Sequence, residues 1–356
     1  MSLSAKQKIA VLFPWQVPED IRDRWSKKFP NFEFIIHVKA FDPAKLRTTD
    51  EISDEEWKDV VALLTPSSLP KPEQVPALHF VQLTSAGANL VIDKPLFTDT
   101  KIPFTSARGA YDPQIAEWAV STFLGLRHHL YRFYDFQKQQ QWEKIRDPVP
   151  SSIGQTLGVL GYGSIGRQVA SVSKALGFKV HAYTLHPKNT PESRRSDSGL
   201  ADNLGDPEGK IPEKWFSGTT KEELHEFLNS GLDLLLISVP LTSQTKHLIG
   251  HEEFQILSKR KTFISNIARG PILKTDDLVE SLEKGLIAGA ALDVTDPEPL
   301  PESHPLWKAP NVIITPHISS SSTASPERVL RIFEYNLEQF VAGKRLINII
   351  DREDKY

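Results

Sequence analysis

The feature that most constrains this chain is the stretch from Gln155 to Tyr183, QTLGVLGYGSIGRQVASVSKALGFKVHAY. A short apolar run (Leu157, Val159, Leu160) leads into a turn through Gly161, Gly163 and Gly166. Apolar residues then recur at helical spacing (Ile165, Val169, Val172, Leu176), Gly177 stands where a helix stops, and Val180, Ala182 and Tyr183 read as a second strand. Strand, G-x-G-x-x-G, helix, strand is the context that turns a weak glycine pattern into a dinucleotide-binding fingerprint. Each glycine has a task. Gly161 permits the tight turn, Gly163 lets backbone approach a pyrophosphate, and Gly166 lets the helix pack against the strand. The helix start then offers free N–H groups and partial positive charge to phosphates. Tyr162, Ser164 and Ile165 complete the segment expected to touch the nucleotide. The bland alternative is a glycine-rich turn in an ordinary βαβ unit.

A chain of 356 residues suggests two domains and ample core. Hydrophobic content of 39% and charged content of 24% are those of a soluble globular protein. The net charge of −3 argues against nucleic acid as a partner, because phosphate-driven affinity needs clustered basic charge. The absence of cysteine excludes disulfides, thiolate metal sites and cysteine nucleophiles, and no metal is expected. The first apolar run is too short for a signal peptide and no run reaches membrane-spanning length, so a cytoplasmic protein without membrane contact is the default expectation.

Before the glycine stretch, Lys8–Phe13, Phe32–Val38, Trp57–Leu64 and Ala77–Thr84 read as strands or their approaches, and Pro18–Phe29 as a helix. This alternation implies an α/β unit with a parallel sheet. The loop from Thr84 to Asn89 is small-residue-rich, and spacing alone reads it as a plain strand-to-helix turn. Asp112-Pro113 starts a helix whose apolar period (Ile115, Ala119, Phe123, Leu126, Leu130, Phe133) runs to about Gln140; the stripe reads as core or oligomer interface. Pro187 to Gly218 reads as a long polar loop, followed by a helix from Thr220 to Leu228. Strands at Leu232–Val239, Phe263–Ile267, Ile287–Leu292 and Asn311–Thr315 follow, with a helix near Asp276–Leu282 and a last one from Ser325 that carries Leu330, Phe333, Leu337 and Phe340. The expected division is residues 1–112 with 323–356 as a substrate domain and 113–322 as the dinucleotide-binding domain.

In open α/β sheets, ligands bind outside the carboxyl ends of the strands. Arg269, Asp293 with Glu298, and His317 lie at three successive strand exits, and the glycine turn lies at a fourth. That set suits hydride transfer to a 2-oxo acid. Arg269 can grip a carboxylate bidentately. His317 can give a proton to the carbonyl oxygen and take it back in reverse, with Glu298 orienting the imidazole. Singly, each residue has a duller reading: a turn histidine, a surface arginine, a rigid Asp-Pro-Glu-Pro loop. Beside a dinucleotide fingerprint, their coincidence favours chemistry.

These residues resemble the D-isomer-specific 2-hydroxyacid dehydrogenase family over nearly the whole chain. The carrying motifs are Gly161–Gly166; Val239-Pro240-Leu241-Thr242 with Thr245 and His247-Leu248-Ile249; Asn266-Ile267-Ala268-Arg269-Gly270; Leu292-Asp293-Val294 with Glu298-Pro299-Leu300-Pro301; and Pro316-His317. The resemblance implies two Rossmann- and flavodoxin-like lobes with parallel sheets, an active site in the interdomain cleft, and Arg269, Glu298 and His317 as the catalytic trio. It implies that Val239, Pro240, Thr245, Ile267, Ala268 and Asp293 line the cofactor site, Asp293 on the nicotinamide side. It also implies that Ser85, Ala86 and Gly87 hold the substrate carboxylate through backbone N–H groups, with Arg269 and His317 as further substrate contacts. The small partner is a 2-oxo or 2-hydroxy acid of the glyoxylate or hydroxypyruvate kind or a bulkier one, and the family usually forms homodimers through the helix that starts at Pro113.

Two departures stand out. The acid that binds the ribose 2′-OH in NAD-specific relatives is replaced by Thr184, and Lys188, Arg194 and Arg195 follow. These could pair with a 2′-phosphate, so NADP(H) is favoured over NAD(H); as plain loop charges they would leave NAD(H) as cofactor. The segment after Pro187 is also longer than the family's usual connection. Two other functions share the fold: a nucleotide-sensing corepressor-like regulator, which keeps the trio but senses NADH, and a formate or phosphite dehydrogenase. Formate-oxidising relatives carry an amide where this chain has Glu298.

Overall fold

A computed structural model describes residues 6–38, 52–196 and 204–353. The described residues fall into two compact units. One comprises residues 6–38, 52–110 and 322–353, the other residues 111–196 and 204–321. Each carries an all-parallel sheet with alternating helices, the doubly wound α/β architecture that repeated βα units impose. Among the described residues, no helix is long and apolar enough to cross a membrane.

In the first unit the strands are β1 (Gln7–Phe13), β2 (Phe32–Val38), β3 (Val60–Thr65), β4 (Phe80–Leu83) and β5 (Phe104–Thr105), in the order β2-β1-β3-β4-β5. All six residues of β3 are buried, as expected of a central parallel strand covered on both faces. The helix Glu19–Lys28 opens with Glu19 and Asp20 and closes with Lys27 and Lys28, a charge order that suits its dipole. Its Trp25 stacks on Phe34 at 5.2 Å and meets Phe333 edge-on at 5.8 Å. Phe333 sits on the chain's last long helix, Ser325–Val341, which belongs to this unit. The next residue, Glu334, is a buried acid at a polar junction. It accepts hydrogen bonds from Arg24 through Nε and Nη2, from Trp25 Nε1 at 3.0 Å and from Lys28 Nζ at 2.8 Å.

The second unit holds β6 (Thr156–Leu160), β7 (Lys179–Thr184), β8 (Lys214–Ser217), β9 (Leu234–Ile237), β10 (Phe263–Asn266), β11 (Gly289–Leu292) and β12 (Val312–Ile314). Their order is β12-β11-β10-β9-β6-β7-β8. The chain winds one way from β6 through β7 to β8 and the other way from β9 to β12, so β6 and β9 flank the switch point. Alternate residues feed two cores on opposite faces. Leu234 and Leu236 join one with Val159 and Phe263, while Leu235 and Ile237 join the other with Leu160 and Ile264.

Two expectations need correction. The helix read as continuous from Asp112 to about Gln140 is two helices, Asp112–Arg127 and Leu130–Lys138, broken at His129 in the left-handed region with φ 57°. Tyr131 folds back over Gly125, where an added Cβ would lie 3.0 Å from its hydroxyl. The apolar period survives the break but its burial does not: Ile115, Ala119 and Phe123 are core, whereas Leu130 is 56% and Phe133 37% exposed. The polar stretch after Pro187 is likewise not all loop. It contains a capped turn, Pro191–Arg194, and the edge strand β8, while its residues 197–203 lie outside the described residues. The period-two signal of β8 is only four residues long, with Trp215 and Phe216 pointing to opposite cores. The helix His251–Ser258, absent from the sequence reading, lies between the strand ending near Pro240 and β10.

Burial raises the Glu334 pKa, but the hydrogen bonds from Arg24, Lys28 and Trp25 outweigh it and hold the carboxyl below its ordinary value. A depressed acid stabilises the fold above its unfolded pKa of about 4.3 and loses that contribution as pH falls through the folded value. Glu334→Ala is therefore expected to cost about 1–3 kcal/mol by orphaning the buried Trp25 Nε1–H, with a smaller loss at pH 3 than at pH 7. Urea midpoints at the two pH values check this.

Candidate active site

The glycine turn sits at the carboxyl end of β6, beside the end of β9. Gly161 has φ +99°, and a Cβ there would lie 2.9 Å from the Ser238 carbonyl and the Val239 nitrogen. Only glycine fits both demands. At Gly166 a Cβ would lie 2.5 Å from the Gly161 carbonyl oxygen, so the helix Ser164–Ala175 packs directly on the turn. At Gly163 a Cβ would meet nothing within 4 Å. Gly163 is also the N-cap and has no side chain to offer the first-turn N–H groups, while Ser164 Oγ is turned to Asp112 Oδ1 at 3.2 Å. An open cradle with free helix N–H groups fits a dinucleotide pyrophosphate. Ile165 packs on the core below.

The other three exits lie on adjacent strands. Arg269 follows β10 by three residues, and the buried Asn266 shapes its turn, donating Nδ2–H to the Arg269 carbonyl at 3.0 Å and accepting the Ala268 N–H at 3.1 Å. Ile267 and Ala268 are buried on opposite cores. Gly270 lets the Thr295–Asp296 backbone lie on this turn, since any Cβ there would collide with the Thr295 carbonyl. That contact brings the loop carrying Glu298 against the Arg269 turn; both Asp296–Pro297 and Glu298–Pro299 are cis.

Asp293 directly follows β11 and is 1% exposed. Its Oδ1 accepts from Thr315 Oγ1 at 2.6 Å and from the Ile318 N–H at 2.9 Å, and its Oδ2 accepts from the Ser319 N–H at 3.0 Å. Its carbonyl accepts the His317 N–H at 2.8 Å. The loop after β12 is thus wound around one residue, and His317 is held in the left-handed region at φ 54°, a conformation costly for a non-glycine residue unless its surroundings impose it. His317 Nδ1 meets Glu298 Oε1 at 2.8 Å, with the two side chains 44% and 42% exposed. Burial lowers the Arg269 pKa from its usual value and the nearby Glu298 charge partly restores it. The guanidinium stays charged at any working pH. Glu298 therefore neighbours both Arg269 and His317, and the three converge on one edge of the sheet.

The remaining predicted residues divide. Thr245 Oγ1 donates to the Pro240 carbonyl at 2.7 Å and accepts the Thr242 N–H at 2.8 Å, which closes the turn after β9; Val239 packs on the core. Thr184, at the end of β7, donates its hydroxyl to the His186 carbonyl at 2.8 Å. Arg194 donates Nε–H to the Lys188 carbonyl at 2.9 Å, and Arg195 reaches Glu208 at 3.4 Å. Tyr162 departs from expectation: its ring is buried and its hydroxyl is bonded to Asp206, so only its backbone can face a nucleotide. In the first unit, the Ser85–Gly87 loop follows β4, and Ser85 Oγ donates to the Gly87 carbonyl at 2.6 Å. Sequence reading missed Asn266 as the shaper of the arginine turn, although an Asx residue two positions before a turn is a readable signal. It also missed Asp206, which lies in a stretch with no periodic cue.

The D-isomer specific 2-hydroxyacid dehydrogenase, NAD binding domain, matches residues 120–206 and 201–319. The chain belongs to this family. It is 31% identical over 285 residues to a glyoxylate reductase of Thermofilum pendens, covering 79% of this chain and 77% of that one. To a hydroxypyruvate reductase of Blautia hydrogenotrophica it is 26% identical over 321 residues, covering 88% and 91%. Its fold matches that of an NADPH-dependent glyoxylate/hydroxypyruvate reductase from Sinorhizobium meliloti with a TM-score of 0.71 at 22% identity, over 99% and 100% of the two chains. The family members are oxidoreductases, and their chemistry is NAD(P)H-dependent reduction of 2-oxo acids.

Asp293→Asn would turn one carboxylate oxygen into an amide facing a backbone N–H. It is expected to cost about 1–3 kcal/mol of stability and, by loosening the His317 loop, to lower kcat about 100-fold. Thermal melts and 2-oxo acid reduction at saturating substrate measure both; an unchanged kcat would separate Asp293 from the histidine.

Proposed function

We propose that this chain reduces a small 2-oxo acid to its D-2-hydroxy acid with NADPH, and runs the reverse reaction, with His317 as proton donor. The observation that carries the reading is the 2.8 Å bond between His317 Nδ1 and Glu298 beside the half-buried Arg269. A carboxylate on Nδ1 keeps the proton on that nitrogen, so Nε2 is the atom that exchanges a proton with substrate. Arg269 grips the substrate carboxylate through two parallel N–H bonds, which fixes the carbonyl toward His317. Gly161, Gly163, Gly166 and the following helix start hold the pyrophosphate, while Val239, Pro240, Ile267 and Ala268 border the same strand ends. The bound nicotinamide supplies hydride to the carbonyl carbon. His317 passes its Nε2 proton to the developing alkoxide, and Glu298 orients the ring. Relatives that are named reductases support turnover over nucleotide sensing.

The preference for NADPH is supported by the neutral Thr184 and by Lys188, Arg194 and Arg195 beyond it. Expected kinetics are kcat/KM for NADPH about ten-fold or more above NADH, a difference of about 1.4 kcal/mol; a clear NADH preference reverses the assignment. In the same assay, with glyoxylate and hydroxypyruvate as oxo acids, His317→Ala should abolish turnover. Arg269→Lys should lower kcat/KM for the oxo acid by about 100-fold or more while cofactor affinity barely moves. Equal loss of both would make Arg269 structural.

A homodimer is part of the same reading. Leu130, Tyr131, Phe133, Tyr134 and Trp142, the last 92% exposed, crowd one short helix and its exit, more apolar surface than a monomer usually leaves in one patch. Sedimentation should give twice the 40.0 kDa chain mass, and Tyr134→Glu should shift it toward the monomer.

A further inference from the structure

A buried polar cluster joins the glycine turn to the segment that follows β7, and the reduction chemistry does not use it. Asp206 is 5% exposed and Arg167, on the helix after the glycine turn, is 6% exposed. Asp206 Oδ2 accepts the Tyr162 hydroxyl at 2.8 Å and the Ile211 N–H at 3.0 Å, while its Oδ1 accepts the Lys210 N–H at 2.8 Å. Arg167 donates Nη1–H to the Asp206 carbonyl and Nη2–H to the Arg194 carbonyl at 2.7 Å, and lies over the Tyr162 ring at 5.0 Å. Arg194 in turn lies over the Trp215 ring at 5.6 Å and donates Nε–H to the Lys188 carbonyl. Trp215 meets Tyr162 edge-on at 5.1 Å, and a Cβ at Gly209 would lie 2.5 Å from the Arg194 carbonyl oxygen.

Burying a carboxylate and a guanidinium costs several kcal/mol unless their hydrogen bonds are met, and apolar residues would often serve stability as well. What this cluster adds is geometry. It ties the Arg194 end of the run from Lys188 to Arg194 to the helix that follows the glycine turn, and Arg194 in turn holds the Lys188 carbonyl. Thr184, at the end of the second strand of the fingerprint, stands where the adenosine ribose is recognised in this fold, and Lys188 and Arg194 are the cations that follow it. An arginine seated on an aromatic face, with Nε already bonded, presents its fork with little further entropy to lose.

We propose that Asp206 and Arg167 are positioning residues that pre-set the Lys188–Arg194 run to receive the 2′-phosphate of NADPH. This rests on the NADPH reading and names the device behind it. The discriminating probes are 2′,5′-ADP and 5′-AMP, which differ by that phosphate alone, titrated calorimetrically into the full-length wild type, Asp206→Asn and Arg167→Met. The wild type should bind 2′,5′-ADP more tightly. Each variant should weaken 2′,5′-ADP about ten-fold or more, as expected when a recognition fork is misplaced by about 1 Å, and leave 5′-AMP within about two-fold. At saturating NADPH and oxo acid, kcat should hold. Equal weakening of both probes would make the cluster merely structural and overturn the proposal. A wild type indifferent to the 2′-phosphate would also overturn it, and oxo-acid reduction with NADH would then leave the catalytic reading standing. Should Asp206→Asn fail to fold, Arg167→Met, which keeps its apolar stem, decides alone.

Discussion

A carboxylate out of water must be surrounded by donors, and Asp293 meets that demand by drawing the next loop around itself. Its two oxygens take up Thr315, Ile318 and Ser319, and its carbonyl takes the His317 N–H. Desolvation of one charge therefore determines the path of five residues and drives His317 into the left-handed region that the chain would avoid elsewhere. Along that path the His317 imidazole meets Glu298. The family resemblance puts Asp293 on the nicotinamide side of a cofactor site; its bonds in addition hold the loop that carries the histidine.

Strand order does the rest. In a parallel sheet all carboxyl ends lie along one edge, so β10, β11 and β12 deliver arginine, acid and histidine to neighbouring places without any loop having to travel. The absence of a side chain at Gly270 closes the remaining gap, since the backbone that leads to Glu298 rests on it. The same edge carries the glycine turn at the switch point between β6 and β9, where chain direction across the sheet reverses.

Much of this was legible in residue order. The glycine fingerprint, the strands and the four exits rest on local properties: apolar period, turn residues, and the conformational freedom of Gly161. The places where reading failed have a common cause. The helix expected to run to Gln140 keeps its apolar period past His129, where the left-handed backbone breaks it and Tyr131 folds over Gly125. The strand β8 is too short to show a period, and is paired only with β7 at the edge of the sheet. Tyr162 looks like a nucleotide contact by position, yet its hydroxyl is bonded to an aspartate forty-four residues later.

Sequence alone determined the fold class, the glycine turn and the placing of Arg269, Glu298 and His317 just beyond strand ends, because each follows from spacing along the chain and from turn chemistry. Tertiary structure alone decided which acid winds the loop of the histidine and what the long polar segment is tied to. Those are contacts of two buried acids, Asp293 and Asp206, with donors that include residues far along the chain. A buried charge takes whichever donors the fold brings within about 3 Å, and residue order does not specify distance in space.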